Sequence, residues 1–491
     1  MASPMTDPVP TPPSGDMPPE EFRRHAHAVV DWMADYLAHA GEYPVLAPVR
    51  PGEIAARLAP SPPADGEPFD AILHDFREVV MPGMTHWNHP AFFAYFAITG
   101  AAPGILGEML AAALNSNAML WRTGPAPTEL EGRTLDWLRQ LMGLPAAFQG
   151  TIQDTASVST LVALAAAREA LGLDVREEGM SGRDLPRLRV YASEEVHSSV
   201  DKAGITLGIG RAGTRRIPTD AGFRMDPAAL ERALEEDRAA GIVPLAVVAT
   251  VGTTSTSSID PVPAIAEICA RHRIWLHVDA AYGGSAALVP ELRHVLDGAR
   301  HADSLVVNPH KWMFVPLDCS VLFSRRPEVV RRAFSLVPEY LATPEGGSVT
   351  NLMDYGPALG KRFRSLKLWM TLRYFGADGM AARIREHVRL ARAFAAWIDA
   401  AEGWERMAPV PLSLVVFRHA PDGMTDEEAD AHNERVMAAV NAAGEAFLSH
   451  TRVRGRLALR LAVGNLRTTE AHVRAAWDLL RETAAKEIAS A

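Results

Sequence analysis

The spacing of apolar positions changes character along the chain. Between Glu20 and about His39, the residues Phe22, Ala26, Val29, Val30, Met33 and Leu37 recur near the helical period, which predicts a helix with one apolar face. The segment after it, EYPVLAPVRPGEIAARLAPSPPADGEPFDAILHDF, alternates Pro-rich extended pieces with short helices. Together they predict an arm over residues 20–95 with little core of its own, which must pack on a larger body or on a second copy of the chain. Residues 1–19 are rich in Pro and Ser and offer little apolar surface to offset the entropy of ordering, so they are read as disordered.

Farther on the apolar residues come in short unbroken runs: LRVYA (188–192), LAVVATV (245–251), IWLHV (274–278), SLVV (304–307) and SVLF (320–323). Helical patterns such as DPAALERALEED (226–237) and DPVPAIAEICARH (260–272) separate them. Continuous apolar strands between helices predict an α/β domain, residues 96–378, with a largely parallel sheet covered on both faces. Such sheets bind ligands in the crevice beyond the carboxyl ends of their strands. Near residue 380 a long helix (GMAARIREHVRLARAFAAWIDA) opens another pattern. SLVVF (413–417), a helix through 426–447, RLALRLAV (456–463) and a last helix from Thr469 predict a smaller α+β domain over 379–491.

The chain has 491 residues, with Lys+Arg 49 against Asp+Glu 59 and a formal net charge of −10. That balance makes no electrostatic bid for nucleic acid or an anionic membrane surface, and it points to a small-molecule ligand. Cys269 and Cys319 are the only cysteines, which excludes a disulfide framework and fits a reducing compartment. The first residues lack the basic-then-apolar order of a secretory signal, and no apolar run reaches the roughly 18 to 20 residues that span a bilayer. A soluble, cytoplasmic protein is expected.

The candidate chemistry concentrates in HVDAAYGG (277–284) and SLVVNPHKW (304–312). Asp279 ends one apolar strand and Lys311 follows another, beside a histidine and a tryptophan. A lysine there is either an ordinary surface lysine or a Schiff-base lysine for a carbonyl compound. Its pairing with Asp279 favours the second, because a carboxylate facing a ring nitrogen and a lysine on an aldehyde are what a pyridoxal phosphate site requires. QDTASVSTLVALAAARE (153–169) is a small-residue turn entering a helix. Its first N–H groups and the Ser157 hydroxyl can receive a phosphate, or the turn is simply an N-cap. Asn308 and His310 stand where they would complete such an anion site. His197, in SEEVHSSVDKAG, is either a satisfied surface histidine or a site residue. No spacing supports a metal, a dinucleotide loop, a P-loop or a GxSxG nucleophile.

At this point the chain resembles the pyridoxal-phosphate-dependent group II decarboxylases, and among them the aromatic-L-amino-acid decarboxylases of the bacterial kind. The resemblance covers about residues 20–480 through ordered blocks that include HWNHPAFFAYF, QDTASVSTLVALAAAR, EEVHSSVDKA, ATVGTTSTSSID, WLHVDAAYGGSA, NPHKW, PEYL and LGKRFRSLKLW. It implies a fold type I enzyme with a mostly parallel seven-stranded central sheet, an N-terminal dimerisation arm and a homodimer with shared active sites. It also implies that Lys311 carries pyridoxal 5'-phosphate, that Asp279 pairs with its ring nitrogen, and that His197 stacks over the ring. Ala156, Ser157, Asn308 and His310 match the phosphate contacts, Ala281 lies beneath the ring, and Thr254 lies near it. Tyr340 in PEYL matches a loop tyrosine that protonates Cα after carbon dioxide leaves. Trp87, Tyr95, Phe96, Met119, Leu359 and Gly360 match the substrate pocket, and a glycine at 360 leaves room for an indole.

The implied reaction is decarboxylation of tryptophan, 5-hydroxytryptophan, phenylalanine, tyrosine or dopa to the amine. The nearest alternative is an aromatic aldehyde synthase, against which Tyr340 argues. An aminotransferase would need an arginine that no motif declares, and a silent structural homodimer would lack Lys311, Asp279 or His197. Several positions depart from the family pattern. Ala97 and Ile98 replace the usual Pro and Thr, Met119 replaces an aromatic, Tyr355 replaces an indole side chain, and Gly356 replaces a glutamine.

Overall fold

The apolar stripe over Glu20 to His39 folds as the helix Pro19–His39 in a computed structural model that describes residues 15–336 and 349–489. Pro19 suits the first helical position, where no intrahelical N–H is needed, and Glu20, Glu21 and His39 complement the helix dipole. Trp32 stacks on Tyr36 at 5.5 Å and meets Phe76 edge-on at 5.0 Å. Glu53–Arg57 and Phe69–Asp75 are the short helices expected between the prolines. These elements form one compact unit ending at His86, and a second unit begins at Trp87.

The second unit is built on a seven-stranded sheet of β1 (Gln149–Gln153), β2 (Leu188–Ser193), β3 (Thr214–Ile217), β4 (Val243–Thr250), β5 (Trp275–Asp279), β6 (Ser304–Val307) and β7 (Ser320–Ser324). Their spatial order is β1-β7-β6-β5-β4-β2-β3, and only β7 runs against the others. Every residue of β5, β6 and β7 is buried, which is why those strands read as unbroken apolar runs. β1 and β3, QGTIQ and TRRI, carry too few apolar residues to show the same signal. Register aligns Thr250 with Asp279, and Asp279 with Val306. The chain segments after β4, β5 and β6 therefore leave the sheet side by side, and that common edge is where the candidate residues gather.

A four-stranded antiparallel sheet follows, of β8 (Trp404–Arg406), β9 (Leu414–His419), β10 (Ser449–Val453) and β11 (Arg456–Ala462), in the order β10-β11-β9-β8. The helix expected from 379 begins earlier, at Ser365, and runs to Asp399 with a break at Gly376 (φ 65°, ψ 176°). That backbone conformation suits glycine, and it separates two helical segments that read from sequence as one late start. The helix expected through 447 is Asp426–Ala442, opened by a capping box in which Thr425 and Glu428 satisfy each other's backbone N–H groups. It ends sooner because Gly444 (φ 76°) turns the chain toward β10.

Candidate active site

Asp279 is the last residue of β5, buried, with Oδ1 accepting the Ala281 N–H at 3.1 Å. The Asn308 N–H donates to the Ala281 carbonyl at 3.1 Å, and the Lys311 N–H donates to the Asn308 carbonyl at 2.9 Å. The turns after β5 and β6 are thus tied backbone to backbone, and the short helix Pro309–Trp312 brings Lys311 to the same edge as Asp279. Lys311 keeps part of its side chain open to the crevice, while burial lowers the proton affinity of its amine and Asp279 acts in the opposite direction. Its Nζ lies 5.6 Å from the centroid of the Phe96 ring.

His197 stands exposed at this edge, before the helix Ser199–Thr206. Its Nδ1 accepts the Ser199 N–H at 3.1 Å and lies 2.9 Å from Ser199 Oγ, so the neutral ring carries its proton on Nε2. Desolvation, then the charge of Lys311, lowers its pKa, against the opposing pull of Asp279. These mutual influences put His197, Lys311 and Asp279 in one electrostatic neighbourhood.

The helix Ala156–Ala170 packs across β4 to β7 with its N-terminus after β1. Thr155 is extended and provides no side-chain cap, and its carbonyl takes the N–H groups of Val158 and Ser159. The N–H groups of Ala156 and Ser157 have no intrahelical acceptor, as at any helix start. The Asn308 amide is buried with Oδ1 unpartnered, an orphan that an amide turn converts into a donor for an anion. His310 Nδ1 accepts the Cys319 N–H at 2.9 Å, and burial followed by the charge of Lys311 pushes its pKa down to about 3. Ala281, two residues past Asp279, is buried. A buried carboxylate, a lysine with a depressed pKa and this set of free donors fit a phosphorylated pyridine aldehyde. Among the described residues no group of three His, Cys, Asp or Glu side chains is placed to hold a metal.

Phe96 is buried and stacks on Tyr282 at 3.7 Å, and Tyr282 stacks on Trp312 at 4.7 Å. Trp87 stacks on Phe92 at 4.3 Å and on Tyr95 at 6.0 Å, with Tyr95 exposed in a left-handed conformation (φ 53°). Thr254 is exposed, and its carbonyl accepts from Arg460 Nη2 at 2.7 Å. Met119 packs instead with Leu120 and Met353, Leu359 is exposed, and a Cβ at Gly360 would meet only Asn117 Nδ2 at 4.0 Å. Among the described residues, no hydrogen bond or ring contact joins Met119, Leu359 or Gly360 to Lys311, Asp279 or His197. Tyr340 lies outside the described residues.

Two contributors went unassigned in the sequence reading. Arg460 is buried in β11, with its guanidinium 5.6 Å from the Phe96 centroid and bonded to Ser449 Oγ at 2.8 Å; burial lowers its pKa to about 10. An arginine within the apolar run RLALRLAV was the available signal. Asn465 donates to the carbonyls of Trp87 and His89 at 3.1 and 2.7 Å, and so fixes the aromatic block. The departure at Gly356 also has a local account. A Cβ there would stand 2.9 Å from Gln153 Oε1, and Gln153 Nε2 donates to the Tyr355 carbonyl at 2.8 Å, so the Gln153 side chain fills that space.

The model of the pyridoxal-dependent decarboxylase conserved domain matches residues 51–420. The chain is 41% identical over 483 residues to tryptophan decarboxylase 1 of Oryza sativa subsp. japonica, covering 94% of each. It is 40% identical to the aromatic-L-amino-acid decarboxylase of Catharanthus roseus, over 96% of this chain and 95% of that one. The crystal structure of Oryza sativa TDC with PLP and tryptamine superposes with a TM-score of 0.92 at 40% identity, over 96% of this chain and 99% of that one. The resemblance to a bacterial kind is corrected by these matches, which run to plant tryptophan and aromatic-amino-acid decarboxylases. HVDAAYGG and NPHKW point to cofactor chemistry, which does not distinguish branches of a family that uses one cofactor.

Proposed function

The chain belongs to the pyridoxal-dependent decarboxylase family, and from that premise we propose how its own residues perform the reaction and which substrates they accept. It is a pyridoxal-phosphate-dependent carboxy-lyase that converts an aromatic L-amino acid into its amine and carbon dioxide. The cofactor supplies, when bound, the electron sink for the pair released as the bond between Cα and the carboxylate breaks.

Lys311 is the residue that holds the cofactor aldehyde, and its depressed pKa makes the neutral amine available for exchange with the substrate amine. Asp279 holds positive charge on the pyridine nitrogen, since a buried carboxylate favours a charged partner. Ala156, Ser157, Asn308 and His310 hold the phosphate, His197 and Ala281 bound the two faces of the ring, and Thr254 lies beside it. His197 keeps its proton on Nε2 and presents it toward the substrate carboxylate. Phe96 and Trp87 form apolar walls that exclude water and accept an aromatic ring, with Arg460 beside Phe96 as one of few groups able to meet a charged side chain. Tyr340 is the proton donor to Cα.

The substrate is an aromatic L-amino acid, one or more of tryptophan, 5-hydroxytryptophan, phenylalanine, tyrosine or dopa. The open space at Gly360, a position matched to the family pocket, is compatible with an indole. The active form is a homodimer with residues 20–95 as its arm, a reading supported by the exposed leucine stripe of the helix Ala102–Leu114. No described helix is long and apolar enough to cross a membrane. The free, buried thiols of Cys269 and Cys319 support a cytoplasmic location.

The observation that carries this reading is Lys311, 5.6 Å from the Phe96 ring and within electrostatic reach of both Asp279 and His197. Its test is incubation of holoenzyme with the five amino acids, following amine, carbon dioxide, aldehyde and peroxide together. Amine and carbon dioxide in equal amounts are expected. Aldehyde and peroxide as the main products would overturn it in favour of an aldehyde synthase.

A further inference from the structure

We propose that a cavity at the opposite edge of the large sheet from Lys311 binds a small oligophosphate, free or as part of a nucleoside di- or triphosphate. The cavity holds about 900 Å³, within the range of small-molecule sites, and is bordered by the first residues of β5, Trp275 and Leu276, by Asp303 just before β6, and by Arg325 just after β7. Asp279 lies at the far end of β5, about 13 Å away at the strand rise of about 3.3 Å per residue. The site is therefore separate from the catalytic crevice.

Its charge is opposite to that of the chain as a whole. Arg273, Arg293, Arg300, Arg325 and Arg326 line it against three carboxylates, in a protein of net charge −10. Of the carboxylates, Asp303 is already engaged: Oδ2 accepts the Leu276 N–H at 2.9 Å, and Oδ1 stands 3.9 and 3.8 Å from Arg325 and Arg326. Among the described residues, Arg273, Arg293 and Arg300 have no carboxylate within the 4.0 Å of an ion pair. Arg293 makes only long contacts to carbonyls, at 3.4 and 3.3 Å, and Arg300 meets the neighbouring His301 ring at 3.0 Å.

Three exposed guanidinium groups without a carboxylate partner line the same cavity, and a multiply charged anion can match several of their forked donors at once. Glu267 and Asp297 also line the cavity. A singly charged anion therefore gains little there, and a ligand with three or more charges gains most. Arg326, lying over the Trp275 ring at 5.2 Å, is held in place to add a fourth donor fork.

The test is calorimetric titration of holoenzyme, whose catalytic phosphate site is filled, with orthophosphate, tripolyphosphate and ATP at low ionic strength. Tripolyphosphate or ATP is expected to bind with a Kd below about 1 mM, and orthophosphate at least about tenfold more weakly. The double variant Arg273→Gln/Arg300→Gln changes two exposed side chains, and should keep the parent decarboxylation rate while losing at least about tenfold in affinity. Equal affinities for tripolyphosphate and ATP support recognition of the phosphate chain alone, and tighter ATP supports a nucleoside ligand. Binding no tighter than orthophosphate, or affinity unchanged in the double variant, would overturn the proposal.

Discussion

Phe96 lies on Tyr282 with ring centroids 3.7 Å apart and planes 14° from parallel. The same Phe96 ring faces both Lys311 and Arg460, so one side chain joins the aromatic stack of the core to the reactive amine. Replacing Phe96 with Leu keeps an apolar residue but removes the stacking partner of Tyr282. The expected cost is about 1 to 2 kcal/mol of folding stability, from lost area and lost ring pairing. Urea denaturation of the variant measures it, and an unchanged midpoint would show that the stack adds nothing.

The backbone bonds from Ala281 to Asn308 and from Asn308 to Lys311 leave Lys311 at the Asp279 edge. Borohydride treatment of holoenzyme, followed by digestion and mass mapping, should put the pyridoxyl group on the peptide containing Lys311. Lys202 also influences His197 and is the informative competitor. An adduct there, or on no lysine, would remove Lys311 from its role.

Asp279→Ala should leave that covalent attachment largely intact, since Lys311 depends on Asp279 for charge and not for position. Turnover should nevertheless fall by about 100-fold or more, because the ring nitrogen loses the carboxylate that holds its proton. A rate within about threefold of the parent would show that another group supplies that charge.

How far the sequence revealed this architecture depended on burial. β2, β4, β5, β6 and β7 were readable because their residues are apolar on both faces, as strands covered by helices must be. β1, with Gln149, Thr151 and Gln153, and β3, with Arg215 and Arg216, form strands because neighbours present hydrogen-bonding edges, which no local pattern records. Asp279 and Lys311 stood out because a carboxylate ending one apolar strand and a lysine just past another are residue types that a pyridoxal phosphate site would call for. Arg460 and Asn465 act by reaching across hundreds of positions to Thr254 and Trp87, a relationship that only the folded chain displays. The branch of the family was the least legible, since the motifs read for cofactor chemistry carry no information on substrate lineage.

Buried histidines set an expected pH dependence of stability. Burial pushes His277, His387 and His419 down to about 4 and His310 to about 3, below the usual value of 6.5. Between pH 6.5 and 4 the unfolded chain binds more protons at these positions than the folded one, so stability falls as pH drops, by up to about 3 kcal/mol for each. Asp260, raised by burial to about 6, works in the other direction, because the folded state takes up its proton first. Glu131, Glu195 and Asp303, also raised by burial, act with Asp260, while His86, His197, His432 and His472 are lowered like the four histidines. The histidines are expected to dominate as a decline in melting temperature from pH 7 to pH 5. A flat profile over that range would mean the histidine pockets admit water.

The last expectation concerns the helix Ala102–Leu114, APGILGEMLAAAL, whose single charged residue is Glu108. Leu106, Leu110 and Leu114 recur every fourth position and so share one face, yet they are 49%, 51% and 65% exposed. A helix this apolar is ordinarily buried all round, so the exposed leucine stripe is expected to be covered by a second copy of the chain. Leu110→Arg places a guanidinium in the middle of that stripe. In a monomer it would sit in water at little cost, so the variant should fold with an unchanged circular dichroism spectrum. In a dimer it would be buried unpaired, at a cost of several kcal/mol, enough to weaken association by more than about 100-fold. Sedimentation at assay concentration should therefore show a dimeric parent and a monomeric variant with decarboxylation lost in step. A variant that remains dimeric and fully active would show that the stripe lies outside the subunit contact.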